Sequence, residues 1–145
     1  IILVEKGVFY MTYTIKQVAE KMGVSVPTLR YYDKEGLMPF IEKKENGTRV
    51  FKDEDFKGLE IISCMKNSGM PIKDIKRYMD LCMEGDSTLQ ARLEVFLERK
   101  ETVRKQLEEL NSIMEVIEHK IWYYEAAIEA GSELIHKDNK DMSKK

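Results

Sequence analysis

The spacing of apolar residues changes several times along the chain. Residues 1–10, IILVEKGVFY, are mostly apolar. They lack the basic start and small-residue cleavage site of a signal peptide. They read as an N-terminal extension ahead of a domain beginning at Met11, with an edge strand as the alternative. A helical spacing then sets in. Thr14 can cap a helix with Gln17 three residues on, and Ile15, Val18, Ala19 and Met22 share one face. Gly23 ends that helix. Ser25 caps the next, which accepts Pro27 in its first turn because the missing N–H would be unpaired there. Leu29 points inward, and the helix ends near Gly36. Two short helices joined in this way predict a helix-turn-helix.

The stretch LMPFIEKKENGTRVF changes period again. Asn46-Gly47 is a hairpin signal, since both residues tolerate positive φ, and its flanks carry Phe40, Ile41, Val50 and Phe51. This predicts a short ribbon, a wing beside the helix-turn-helix. Asp53 is placed to cap a third helix with Phe56, Leu59, Ile61 and Ile62 apolar, ending at Ser68-Gly69. Pro71 opens a fourth, with Ile72, Ile75, Met79 and Leu81 or Cys82 turned inward, and Gly85-Asp86 breaks it.

From Ser87 to about Ala130 there is neither proline nor glycine. Leu89, Leu93 and Phe96, then Val103, Leu107, Leu110, Met114, Ile117, Ile121, Tyr124 and Ile128, follow alternating steps of four and three, with Lys100 as the interruption. The pattern predicts a coiled-coil helix about 65 Å long at 1.5 Å per residue. One such helix cannot cover its own stripe, and a second copy of the chain is the simplest partner. Lys100 would set register there or reach an acid of the partner. The expected organisation is an extension over 1–10, a winged helix-turn-helix DNA-binding domain over 11–85, a dimerisation helix over 86–130 and a flexible tail over 131–145.

Composition sharpens this picture only in part. The net charge of −2 does not by itself announce a nucleic-acid binder. Its distribution says more: residues 11–80 carry 13 Lys and Arg against 11 Asp and Glu, whereas residues 81–145 carry 10 against 14. That asymmetry has the sign of a DNA-facing front and an acidic rear. No apolar run approaches the roughly 20 residues of a membrane span. Two cysteines, Cys64 and Cys82, form no CxxC pair, which speaks against a disulfide framework and for a reducing, cytoplasmic setting. No metal or cofactor set and no arrangement of nucleophile, base and oxyanion donors is visible, so the chain is not expected to be an enzyme.

Candidate chemistry concentrates in VSVPTLRYYDKEGL. Ser25, Val26 and Thr28 lie at the start of the second helix, the part a helix-turn-helix aims at base edges. Val26 or Thr28 can meet a thymine methyl, while Ser25 is equally explained as a cap. Arg30 can fork onto phosphate oxygens, and Tyr31 and Tyr32 can donate hydroxyls to the backbone unless one packs under the wing. Lys43 and Lys44 fit a solvated ribbon edge as well as a DNA contact. His119 and His136 read as surface residues, and Trp122, Tyr123 and Tyr124 read as packing.

The order of elements, together with TIKQVAEKMGVSVPTLRYYDKEGL and NGTRVF, resembles the MerR family of bacterial transcription regulators over residues 12 to about 130. The resemblance implies a mainly α fold: a winged helix-turn-helix head with a small β-hairpin wing, followed by a long antiparallel coiled-coil dimerisation helix. It implies a homodimer on palindromic double-stranded promoter DNA, which it bends and untwists for RNA polymerase. Arg49 matches the family's wing arginine, with an ion pair to Glu45 or Asp53 as the plain alternative, and Lys66 matches a phosphate contact. The segments IISCMKNSGM and MEGDSTLQAR are similar to thiol-dependent, aldehyde- and electrophile-responsive regulators of the NmlR and AdhR kind. That likeness makes Cys64 a candidate sensor thiol for a small electrophile; its neighbours Ile61 and Ile62 equally suit a buried structural cysteine. Cys82 is expected to be core or partly exposed. A regulator of another small-molecule signal, or a coiled-coil interaction protein, are the alternative readings.

Overall fold

The computed structural model describes residues 2–5 and 8–137, with side chains from Met11 onward. In order, the elements are β1 (Ile2–Glu5), β2 (Val8–Tyr13), α1 (Ile15–Met22), α2 (Val26–Lys34), β3 (Glu42–Lys43), β4 (Arg49–Lys52), α3 (Asp55–Asn67), α4 (Ile72–Glu84) and α5 (Leu89–Ala130). The chain divides into two compact units, Ile1–Arg99 and Lys100–Lys145.

The first unit is a helical head with a small antiparallel sheet of order β1-β2-β4-β3. The apolar stretch read as an extension forms strands: β1 pairs with β2, and β2 continues into Thr12 and Tyr13, which pair with Lys52 and Phe51 of β4. Thr14 and Gln17 form the expected capping box, the Thr14 N–H donating to Gln17 Oε1 at 2.9 Å. Gly23 ends α1 in the left-handed region (φ 64°), where a side chain would be strained. At the wing tip Gly47 takes φ 79°, and the Thr48 N–H donates to Asn46 Oδ1 at 3.0 Å.

The wing is shorter than its apolar flanks suggested. Phe40 and Ile41 precede β3 and are anchors: Ile41 is buried, and the Phe40 ring lies on Gly58 of α3. Asp53 does not cap α3. It accepts a 2.6 Å hydrogen bond from the Tyr13 hydroxyl, which holds that phenol's pKa above its ordinary value, while Asp55 accepts from the Lys52 N–H at 2.7 Å. The core joins Val18 of α1, Leu29 of α2, Phe51 of β4, Leu59 and Ile62 of α3, and Ile75 and Met79 of α4. Removing the fully buried Phe51 side chain would cost about 3–5 kcal/mol by lost burial and cavity formation. The head also recruits the start of α5. Phe96 sets its ring edge-on against Tyr78 at 5.1 Å, Val95 packs against the core, and Arg92 donates to the Gly85 carbonyl at 3.2 Å.

In the second unit α5 continues unbroken to Ala130. Leu107, Leu110, Met114, Ile117, Ile121 and Ile128 are exposed in the single chain. Arg104 reaches back to Glu101 at 2.6 Å and forward to Glu108, a solvated ladder on the polar face. Part of the expected tail is folded. Residues Glu133–His136 make a 3-10 turn capped by Ser132, and the His136 ring stacks on Tyr123 at 3.8 Å. The rest of the expected tail, residues 138–145, lies outside the described residues.

Candidate nucleic-acid interface

The two faces of α2 divide its residues cleanly. Leu29 and Tyr32 point into the core, Tyr32 with 6% of its surface exposed. Pro27, Arg30, Tyr31 and Lys34 are exposed, at i, i+3, i+4 and i+7 along one face. Tyr31 is 44% exposed and free to meet a phosphate. Of the two tyrosines, Tyr32 is the one that packs: burial raises its phenol pKa and leaves little of it to offer. Lys34 was missed. The i+4 step from Arg30 was the available signal.

The start of α2 is more occupied than expected. Ser25 Oγ accepts the Thr28 N–H at 3.1 Å and lies 2.7 Å from Thr28 Oγ1. Ser25 is therefore an N-cap, and Thr28 shares its hydroxyl with that cap. Val26 is half-buried against the core. Ser25 and Pro27 remain exposed at this helix start, with Val26 and Thr28 half-buried between them.

The wing stands beside α2. A cleft of about 480 Å³ opens between the N-terminus of α1, Arg30 and the wing residues Lys44, Asn46 and Arg49. Three cations thus line one depression, with the first N–H groups of α1 beside them, a setting for an anionic backbone. Among the described residues, Arg30, Lys34 and Lys44 make no ion pair. Arg49 does, but with neither Glu45 nor Asp53. It pairs with Asp33 of α2, which also holds Lys43 at 3.2 Å. Burial pushes the Asp33 carboxyl up, but the hydrogen bonds and charges of Arg49 and Lys43 outweigh it and hold the pKa below the usual value.

Lys66 is exposed in the last turn of α3, where it complements the helix C-terminus, and it does not line the cleft. Cys64, two residues earlier, is exposed in the single chain. Cys82 is half-buried beside Tyr78; burial and a hydrogen bond with Cys82 push the Tyr78 phenol up to about 12. No group of His, Cys, Asp and Glu able to hold a metal ion occurs among the described residues.

Comparison with known proteins bears on this geometry. The pattern of the MerR HTH family regulatory proteins matches residues 13–82, and that of the MerR DNA-binding region matches residues 57–120. An HTH-type transcriptional regulator of Haemophilus influenzae is 43% identical over 122 residues, covering 84% of this chain and 90% of that protein. The chain belongs to the MerR family. Within it, the chain is 39% identical over 87 residues to the HTH-type transcriptional regulator AdhR of Bacillus subtilis, spanning 62% of that protein. The crystal structure of HiNmlR, a MerR family regulator lacking the sensor domain, bound to promoter DNA, superposes with a TM-score of 0.76 at 42% identity. The match covers 86% of this chain and 99% of that one. A MerR family regulator from Bacillus thuringiensis gives a TM-score of 0.70 at 42% identity over 77% of this chain and 97% of that one. This MerR protein is a DNA-binding transcriptional regulator rather than an enzyme, and its likeness to NmlR and AdhR relatives bears out the subgroup expected from its sequence.

Proposed function

We propose that this regulator binds a palindromic promoter as a homodimer, distorts it for RNA polymerase, and responds to an aldehyde or another small electrophile through Cys64 in the cytoplasm. The observation that carries the DNA part is the cationic cleft beside the exposed Pro27, Arg30, Tyr31 and Lys34 face. The exposed apolar stripe of α5 supports pairing with a second chain in an antiparallel coiled coil, since single exposed apolar residues are ordinary but a continuous stripe is not. Pairing would place two heads on one DNA, and symmetric heads favour a palindromic site. Ser25 and Thr28 are bonded to each other at the start of α2 and Pro27 offers no amide donor, which favours readout through DNA shape.

Exposure supports Cys64 as the thiol an electrophile would meet first. Its addition to an aldehyde forms a C–S bond and places the thiol proton on the carbonyl oxygen, giving a hemithioacetal. Transcription from the bound promoter tests the reading. Aldehyde should induce the wild type and leave Cys64→Ser uninduced; equal induction removes Cys64 from the mechanism. Footprinting should show two half-sites protected about one helical turn apart. A single, unpaired footprint would contradict the dimer.

A further inference from the structure

Lys43 and Arg49 face each other across the wing, as register partners of β3 and β4. Like charges opposite one another destabilise a ribbon unless something answers them. Asp33 does so from outside the wing. Its side chain is 9% exposed, it holds Lys43 Nζ at 3.2 Å, and it accepts a hydrogen bond from Arg49. Arg49 also lines the cleft with Arg30 and Lys44, and its Nε is buried without a hydrogen-bond partner. The interface therefore holds two kinds of cation. Arg30, Lys34 and Lys44 make no ion pair among the described residues. Lys43 and Arg49 are already answered by an internal carboxylate.

We propose that Asp33 is a specificity-determining residue: its carboxylate competes with DNA phosphate for Lys43 and Arg49, and so restrains binding to duplexes that do not seat in the cleft. Any duplex meets the free cations, and their attraction is independent of sequence. To engage the wing, a phosphate must draw Arg49 and Lys43 from Asp33 or share them. Only a backbone shaped to enter the cleft gains enough further contacts to offset that exchange. Asp33 thus touches no base, yet it widens the gap between right and wrong DNA. The inference rests on the promoter-binding reading above, but its decisive arm uses random-sequence DNA and stands apart from it.

The test compares wild type, Asp33→Asn and Asp33→Glu on a random-sequence duplex and on the protein's own promoter duplex, by fluorescence anisotropy across a salt series. Each freed cation adds about 0.9 to the slope of log affinity against log salt, so Asp33→Asn should steepen the random-duplex slope by up to about 1.8 per chain. It should bind that duplex about tenfold more tightly near physiological salt, and its promoter-to-random ratio should fall. Asp33→Glu, which keeps the charge, should return towards wild type; a merely structural role would not discriminate by charge. Random-duplex affinity and slope that stay at the wild-type level, or weaken, in a folded Asp33→Asn protein overturn the proposal. Lys43→Gln guards against loss of fold at Asp33. Because its charge is already answered, this variant should leave the random-duplex slope near wild type, and a drop of about 0.9 overturns the proposal equally. If wild type itself shows no promoter preference, the promoter reading fails, while the random-duplex comparison still decides the role of Asp33.

Discussion

Gly58 sits inside α3, where an exchange to alanine would ordinarily stabilise the helix by about 1 kcal/mol. Here the gain should vanish. A Cβ on Gly58 would stand 2.6 Å from Cζ of Phe40 and 2.9 and 3.0 Å from its two Cε atoms. Restoring an ordinary 3.4 Å contact means a retreat of about 0.8 Å by a ring that roots the wing. Overpacking of this kind costs about 1–3 kcal/mol. Set against the helical gain, Gly58→Ala should come out between neutral and about 2 kcal/mol destabilising. Urea unfolding of wild type, Gly58→Ala, Phe40→Ala and the double variant, at one fixed chain concentration, measures this as a coupling. With the ring gone, Gly58→Ala should recover its roughly 1 kcal/mol of stabilisation. If Gly58→Ala stabilises the wild-type background just as much, the ring is not the reason for glycine and the reasoning fails.

Two further outcomes follow from the charges and thiols. Because Arg49 and Lys43 hold the folded Asp33 carboxyl below its ordinary pKa of about 3.9, its stabilisation is complete above that pH and drains away as pH falls through the lower folded value. The stability gap between wild type and Asp33→Asn should therefore be constant from pH 5 to 7 and shrink below about pH 3.9, as followed by thermal melts; a gap unchanged at pH 3 would show that the ion pairs do not create it. A thiol-disulfide reagent at mildly alkaline pH should label exposed Cys64 well before half-buried Cys82. Equal rates, read by intact mass, would mean that the exposure difference does not exist in solution.

Periodicity and caps made much of the head legible before any coordinates. The Thr14–Gln17 box, the Gly23 stop, the Ser25 cap and the Asn46-Gly47 tip are local chemistry, decided within a few residues, and each formed as expected. Tertiary placement was less legible. Val26 and Tyr32 look accessible in a short polar helix, and only the packing of α2 against the other helices turns them inward. Lys34 was hidden for the same reason: its value lies in sharing a face with Arg30, which needs a helical wheel rather than a motif. Asp33 carried no local signal at all, because its partners Lys43 and Arg49 arrive from a ribbon beyond the next turn. The strands over residues 2–5 and 8–13 were obscured by nearly continuous apolar composition, which lacks the alternation that marks a half-buried strand.

The DNA-facing role of the exposed α2 stripe is tested most directly by the salt dependence of promoter affinity for wild type and the Arg30→Ala, Lys34→Ala double variant. If this face meets phosphate, removing its two cations should lower the slope of log affinity against log salt by about 1.8 per chain and weaken promoter binding, with the fold retained. A double variant with wild-type slope and affinity would contradict the assignment of this face to DNA.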